Sequence, residues 1–81
     1  MNISNYNNPV ADNIANAIQA KGIKQYVIAG KAGFTAQHFN DMLNGRRVIK
    51  ACDIPRIADA LDLTPNDLYG ISTRAAKNPA N

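Results

Sequence analysis

The chain has 81 residues, enough for one domain and too few for two. Apolar residues are plentiful but aromatics are few, and a single cysteine excludes both an internal disulfide and a cysteine-based zinc cluster. The net charge is +3, unevenly spread: residues 21–50 carry Lys21, Lys24, Lys31, Arg46, Arg47 and Lys50 against Asp41 alone, whereas residues 51–70 carry Asp53, Asp59, Asp62 and Asp67 against Arg56.

A polyanion is drawn to the first of these regions and repelled by the second. The plain alternative is a solvated surface with uneven charge. No apolar run approaches the roughly 20 residues of a membrane helix. Residues 1–8, "MNISNYNN", have neither a basic start nor an apolar block, so no export signal is expected. A soluble protein in the reducing cytoplasm fits, with Cys52 read as a small buried hydrophobe.

The apolar spacing is helical throughout. The first predicted helix runs from Pro9 to about Lys21, with Asn8 as N-cap and Pro9 in the first turn. Ala11, Ile14, Ala15 and Ile18 fall on one face, and Gly22 ends the helix. The second runs from about Lys24 to Ala32, with Ile28, Ala29 and Ala32 inward. Gly30 lies inside it at a cost of roughly 1 kcal/mol relative to alanine. Gly33 follows, where a left-handed backbone is cheap only for glycine.

The third helix starts after Thr35, whose hydroxyl can cap the amide of Gln37 or His38. Phe39, Met42 and Leu43 form its inward stripe, and Asn44-Gly45 ends it. "RRVIKA" reads as a loop. The fourth spans about Asp53 to Asp62, with Ile54, Ile57, Ala58 and Leu61 inward. The fifth is short, Pro65 to Tyr69, with Thr64 and Asp67 spaced as a capping box and Gly70 at its end. These elements divide the chain into a flexible segment 1–8, a domain 9–70 and a flexible polar tail 71–81.

One stretch needs explaining: "QYVIAGKAGFTAQHFNDMLNG" breaks a helix at Gly33 and starts another within three residues. Two helices joined by a tight glycine turn, with the small Ala29 at the joint, form a helix-turn-helix. The bend lets the third helix present its first turn outward, and a major groove about 12 Å wide admits one helix.

Residues 10–70 resemble the Cro/C1-type, phage repressor-like (XRE-type) helix-turn-helix family. The resemblance rests on Gln25, Ile28-Ala29, Gly33, Phe39 and Asn44-Gly45, in order and at family spacing, and on the later "IPRIADALDLTPNDLYG". It implies an all-α, five-helix, lambda-repressor-like domain that binds double-stranded DNA. It also implies a homodimer on a pseudo-palindromic operator and a role as a prophage- or plasmid-type repressor.

The resemblance places Ala36, Gln37 and Asp41 at base-reading positions, with His38 and Asn40 beside them. Gln37 could pair with adenine, and Ala36 could meet a thymine methyl. Asn40 could read adenine or bind phosphate. Asp41 could accept from cytosine, or repel the backbone and limit nonspecific binding. Phosphate contacts are expected from Gln25, Lys31, Thr35, Asn44, Arg46, Arg47 and Lys50.

His38 has no second histidine or cysteine pair to make a metal site, and it reads as a polar surface group. All six acids are aspartates with no evident base partner, and no glycine-rich phosphate loop precedes a lysine. No enzyme, metal or cofactor is therefore expected. The rival reading keeps the fold and replaces DNA with a protein partner, as in an antitoxin or anti-repressor. In that reading Tyr26, Val27 and Leu43 are exposed apolar residues, and Tyr69 to Ile71 form a dimer or partner patch.

Overall fold

The computed structural model describes residues 7–71. Among them the chain forms five α-helices and no strand: α1 Val10–Lys21, α2 Gln25–Ala32, α3 Ala36–Leu43, α4 Asp53–Ala60 and α5 Pro65–Tyr69. The expected tail, apart from Ile71, lies outside the described residues. α2 packs against α3 and α4, α1 against α5 and α3, and α4 against α5. Phe39, Ile14, Ile28, Met42, Ile57, Leu61 and Leu68 are the large side chains fully enclosed where these helices meet.

The helix ends share one device. After each helix a residue turns into the left-handed region, and the next amide reaches back to a carbonyl one turn inside. Ile23 donates to Ile18 O at 3.4 Å, Phe34 to Ala29 O at 2.9 Å, Leu63 to Ala58 O at 2.8 Å and Ile71 to Asn66 O at 2.8 Å. Glycine supplies the bend in all but one, where Asp62 takes φ 59°, a conformation that short polar side chains tolerate. Ile23, Phe34 and Leu63 then fold back as partly buried flanks of the core. α3 ends in the same way, with Arg46 N donating to Asp41 O at 2.8 Å. Here the residue that folds back is charged, and its partner one turn inside is an aspartate.

The starts of the helices are more varied. Thr35 Oγ1 accepts from His38 N at 3.0 Å and caps α3. At α5 the capping box is complete: Thr64 N donates to Asp67 Oδ2 at 2.9 Å, and Asp67 N donates to Thr64 Oγ1 at 3.3 Å. α1 begins at Val10 rather than Pro9, although Asn8 still supplies a capping oxygen, accepting from Asp12 N at 3.2 Å. Lys24 precedes α2 and makes no side-chain cap.

Three expectations are corrected. Ala15 is exposed, and Val10 joins Ala11, Ile14 and Ile18 in the buried face of α1. The buried arc centres on Ile14, and Ala15 lies too far round the helix to share it. Cys52 is exposed, because it stands just ahead of α4, before the inward stripe begins. Asn7, in the stretch read as a flexible segment, is only 7% exposed. Its Nδ2 donates to Met42 O and Arg47 O, each at 2.8 Å, and its Oδ1 accepts from Ile49 N at 3.0 Å. One amide side chain thus anchors the loop after α3 to the start of α1.

Candidate nucleic-acid interface

The joint between α2 and α3 is built around Gly33. Its φ of 89° turns the chain at the end of α2, and Thr35 caps α3 two residues later. Arg56, from α4, holds this turn. Its Nε donates to Ala32 O at 3.0 Å and its Nη2 to Gly33 O at 3.1 Å. The guanidinium also lies 4.2 Å from the centroid of Phe34 and 3.6 Å from Asp53 Oδ1. It therefore satisfies terminal carbonyls of α2 with positive charge at the negative end of the helix dipole. It also covers an aromatic face that would otherwise meet water.

α3 is split lengthwise. Phe39 and Met42 are fully buried, whereas Ala36 and Gln37 on the first turn are exposed. Ala36, Gln37 and Asn40 share a shallow concavity with Lys24, Gln25 and Tyr26 at the start of α2. On the other side of the turn, a wider cleft brings together Thr35, His38, Arg47, Lys50, Arg56 and Asp53, among others. Asp53 is the one acid of this cleft. It is engaged by Arg56 and by the Lys50 amide at 3.0 Å, so Arg47 and Lys50 keep a net positive field there. The two concavities flank the exposed first turn of α3.

The remaining expected site residues fall into three groups. Asn40 and His38, expected outward, are half-buried and already partnered. Asn40 Oδ1 accepts from Gln25 Nε2 at 3.2 Å and from Asn44 Nδ2 at 3.1 Å, which ties the start of α2 to the end of α3. The His38 ring packs against Phe34, with centroids 5.1 Å apart, and so turns toward the joint. Asp41 forms the second group. Its Oδ1 accepts from Gln37 Nε2 at 2.9 Å and from Arg46 Nε at 3.0 Å. The Arg46 hydrogen bond holds the Asp41 carboxyl below the ordinary carboxylate range; burial opposes this, and the Gln37 amide adds to it. Lys31, Asn44 and Arg46 make up the third group: all three are exposed and line neither concavity, Lys31 on the last turn of α2 and the other two at the end of α3.

Arg56 and Asn7 were not among the expected site residues, and Tyr26 was expected only as an exposed apolar residue of the protein-partner reading. The spacing of Asp53 and Arg56 on one helix is visible in the sequence, but the contacts of Arg56 with residues 32–34 come only from the packing of α4 on α2. Asn7 carried no local signal beyond its place before a helix start.

Among the described residues, no helix is long and apolar enough to cross a membrane, and no group of three or more histidine, cysteine or acidic side chains converges as metal ligands. No curated protein sequence and no solved structure matches the chain. A family model does match, that of the Cro/C1-type HTH DNA-binding domain, over residues 13–73. That span takes in most of α1, the turn built on Gly33, the half-exposed α3 and both later helices, so the chain belongs to the Cro/C1-type helix-turn-helix DNA-binding family.

Proposed function

We propose that this chain is a sequence-specific transcriptional regulator, a repressor of prophage or plasmid type, that lays α3 in the major groove of double-stranded DNA. The observation that carries the reading is the split of α3, with Phe39 and Met42 buried and the first turn exposed between cationic flanks. Ala36 and Gln37 read base edges: the amide of Gln37 pairs with adenine, and the methyl of Ala36 meets thymine. Gln25, Thr35, Asn44, Arg46, Arg47 and Lys50 hold phosphates on either side, with Lys31 at the margin, and fix the register. Two copies bind a pseudo-palindromic operator, their half-sites one helical turn apart. The regulator works in the cytoplasm and needs no cofactor.

A second reading, a protein-binding module such as an antitoxin, has specific support in exposed apolar side chains. Tyr26 is 63% exposed, and Val27, Val48, Tyr69 and Ile71 are also open to solvent. Leu43, expected with them, is instead partly buried against the core. The salt dependence of binding to a random-sequence duplex separates the two readings. A DNA reader loses affinity steeply as salt rises. A protein-only module shows little duplex binding at any salt.

A further inference from the structure

We infer that Asp41 is a specificity-positioning residue, which holds the side-chain amide of Gln37 in the one orientation that reads adenine and refuses guanine. The inference rests on the proposed placement of Gln37 against a base.

The geometry begins at the end of α3. In the turn that ends a helix this way, the residue that folds back commonly makes an apolar contact with the residue one turn inside. Here those two residues are Arg46 and Asp41. The backbone bond from Arg46 N to Asp41 O, 2.8 Å, fixes where Arg46 leaves the helix. Its side chain then returns to Asp41 Oδ1 at 3.0 Å. Asp41 is thus held by backbone and side chain from one direction, and it presents the same oxygen to Gln37 Nε2 at 2.9 Å. The side chain of Asp41 is 20% exposed and that of Arg46 59%, so the carboxylate is positioned at the surface by its bonds to Arg46 and Gln37.

A glutamine amide can face a base in either of two flips. With Nε2 donating to Asp41, one N–H and the carbonyl Oε1 remain. The reverse flip sets Oε1 against a carboxylate oxygen, acceptor against acceptor. The favoured flip offers one donor and one acceptor. Adenine presents N7 as acceptor and N6–H as donor, which matches; guanine presents N7 and O6, both acceptors, so Oε1 is left facing O6. Groove binding strips water from these groups, which raises the cost of the mismatch. Asp41 Oδ1 is thus shared by Arg46 and Gln37, which commits that oxygen to positioning the amide rather than to a base.

The test is selection of bound duplexes from a random-sequence library by the wild-type protein and by Gln37→Ala, Asp41→Ala and Asp41→Asn variants, each checked for helical content. The wild type enriches adenine at one half-site position, and Gln37→Ala abolishes that preference. Asp41→Ala keeps the site but lets guanine rise there, so the adenine-to-guanine ratio falls about tenfold. Asp41→Asn retains a carbonyl acceptor for Gln37 and keeps most of the preference, while removing a charge that repels phosphates and so tightening binding to every duplex. If Gln37→Ala removes the preference and both Asp41 variants leave the ratio at its wild-type value, the inference is overturned and the reading of Gln37 stands. If Gln37→Ala changes nothing, the placement of Gln37 fails and takes the inference with it.

Discussion

The guanidinium of Arg56 occupies the space that a side chain on Gly33 would need: a Cβ built there lies 2.7 Å from Arg56 Nη2. Gly33 is thus constrained twice, by a φ of 89° and by a cation brought in from α4. The turn of the helix-turn-helix is shaped by its own glycine and then clamped from outside.

Gly33→Ala is therefore expected to lower stability by about 2 kcal/mol, combining left-handed strain with disturbed hydrogen bonds from Arg56. In a domain of this size each kcal/mol shifts Tm by roughly 4–8 °C. A double-mutant cycle with Arg56→Ala in urea unfolding checks the cause. The two costs should fall short of additive by about 0.5 kcal/mol or more; strict additivity would separate the glycine from the clamp. Gly30 is the contrast within the same helix. Nothing lies within 4 Å of a Cβ built there, so Gly30→Ala should stabilise by roughly 0.5–1 kcal/mol.

Asn7→Ala removes the shared partner of the Met42 and Arg47 carbonyls and the Ile49 amide. Unsatisfied buried groups cost about 1–3 kcal/mol, so a loss near the upper end is expected. Asn7→Asp should be at least as damaging, because it sets a carboxylate oxygen against two carbonyls. Thermal unfolding of both variants gives the order, and an Asp variant as stable as wild type would contradict the assigned bonds.

The Asp41 carboxyl titrates below its ordinary value of 3.8, chiefly through Arg46. A folded pKa below the unfolded one stabilises fully above the unfolded value and ceases to do so as pH falls through the folded one. The Arg46–Asp41–Gln37 chain should therefore persist across neutral pH and come apart only in acid below that ordinary value. NMR titration of the Asp41 carboxyl should show its pKa rising toward the ordinary value in Arg46→Ala. No rise would mean that the ion pair is absent in solution.

Cys52 offers a direct check on the start of α4. Exposed as it is, its thiol should react with a disulfide reagent in the native protein without prior unfolding. Protection that is lost only on unfolding would restore the buried reading made from sequence.

Much of the fold was legible because local chemistry set it. Thr35, the Thr64–Asp67 pair, Gly22, Gly33 and Gly70 each mark a helix boundary through bonds that span a few residues. The inward stripes of α2 and α4 follow from spacing alone. Ala15 was misplaced because alanine fits either face, and only the position of Ile14 in the assembled core fixes the arc. Cys52 was misjudged because residue type speaks to average burial and not to a place ahead of a helix. The site was less legible than the fold. Its residues sit on the expected elements, and the Gln37–Asp41, Phe34–His38 and Asn40–Asn44 pairs are local ones, four residues apart. The Gln25–Asn40 bond and the hold of Arg56 on Gly33 join residues 15 and 23 apart, and no short window of sequence contains those.

The most direct test of the central claim, that α3 reads DNA sequence, is selection of bound duplexes from a random library by the purified protein at near-physiological salt. The expected result is an inverted repeat with half-sites one helical turn apart and an adenine preference that Gln37→Ala removes, while Arg47→Ala weakens all duplexes alike. Binding with no enriched sequence would contradict it and leave a nonspecific DNA binder, whereas no binding at all would contradict it and favour a protein partner for this surface.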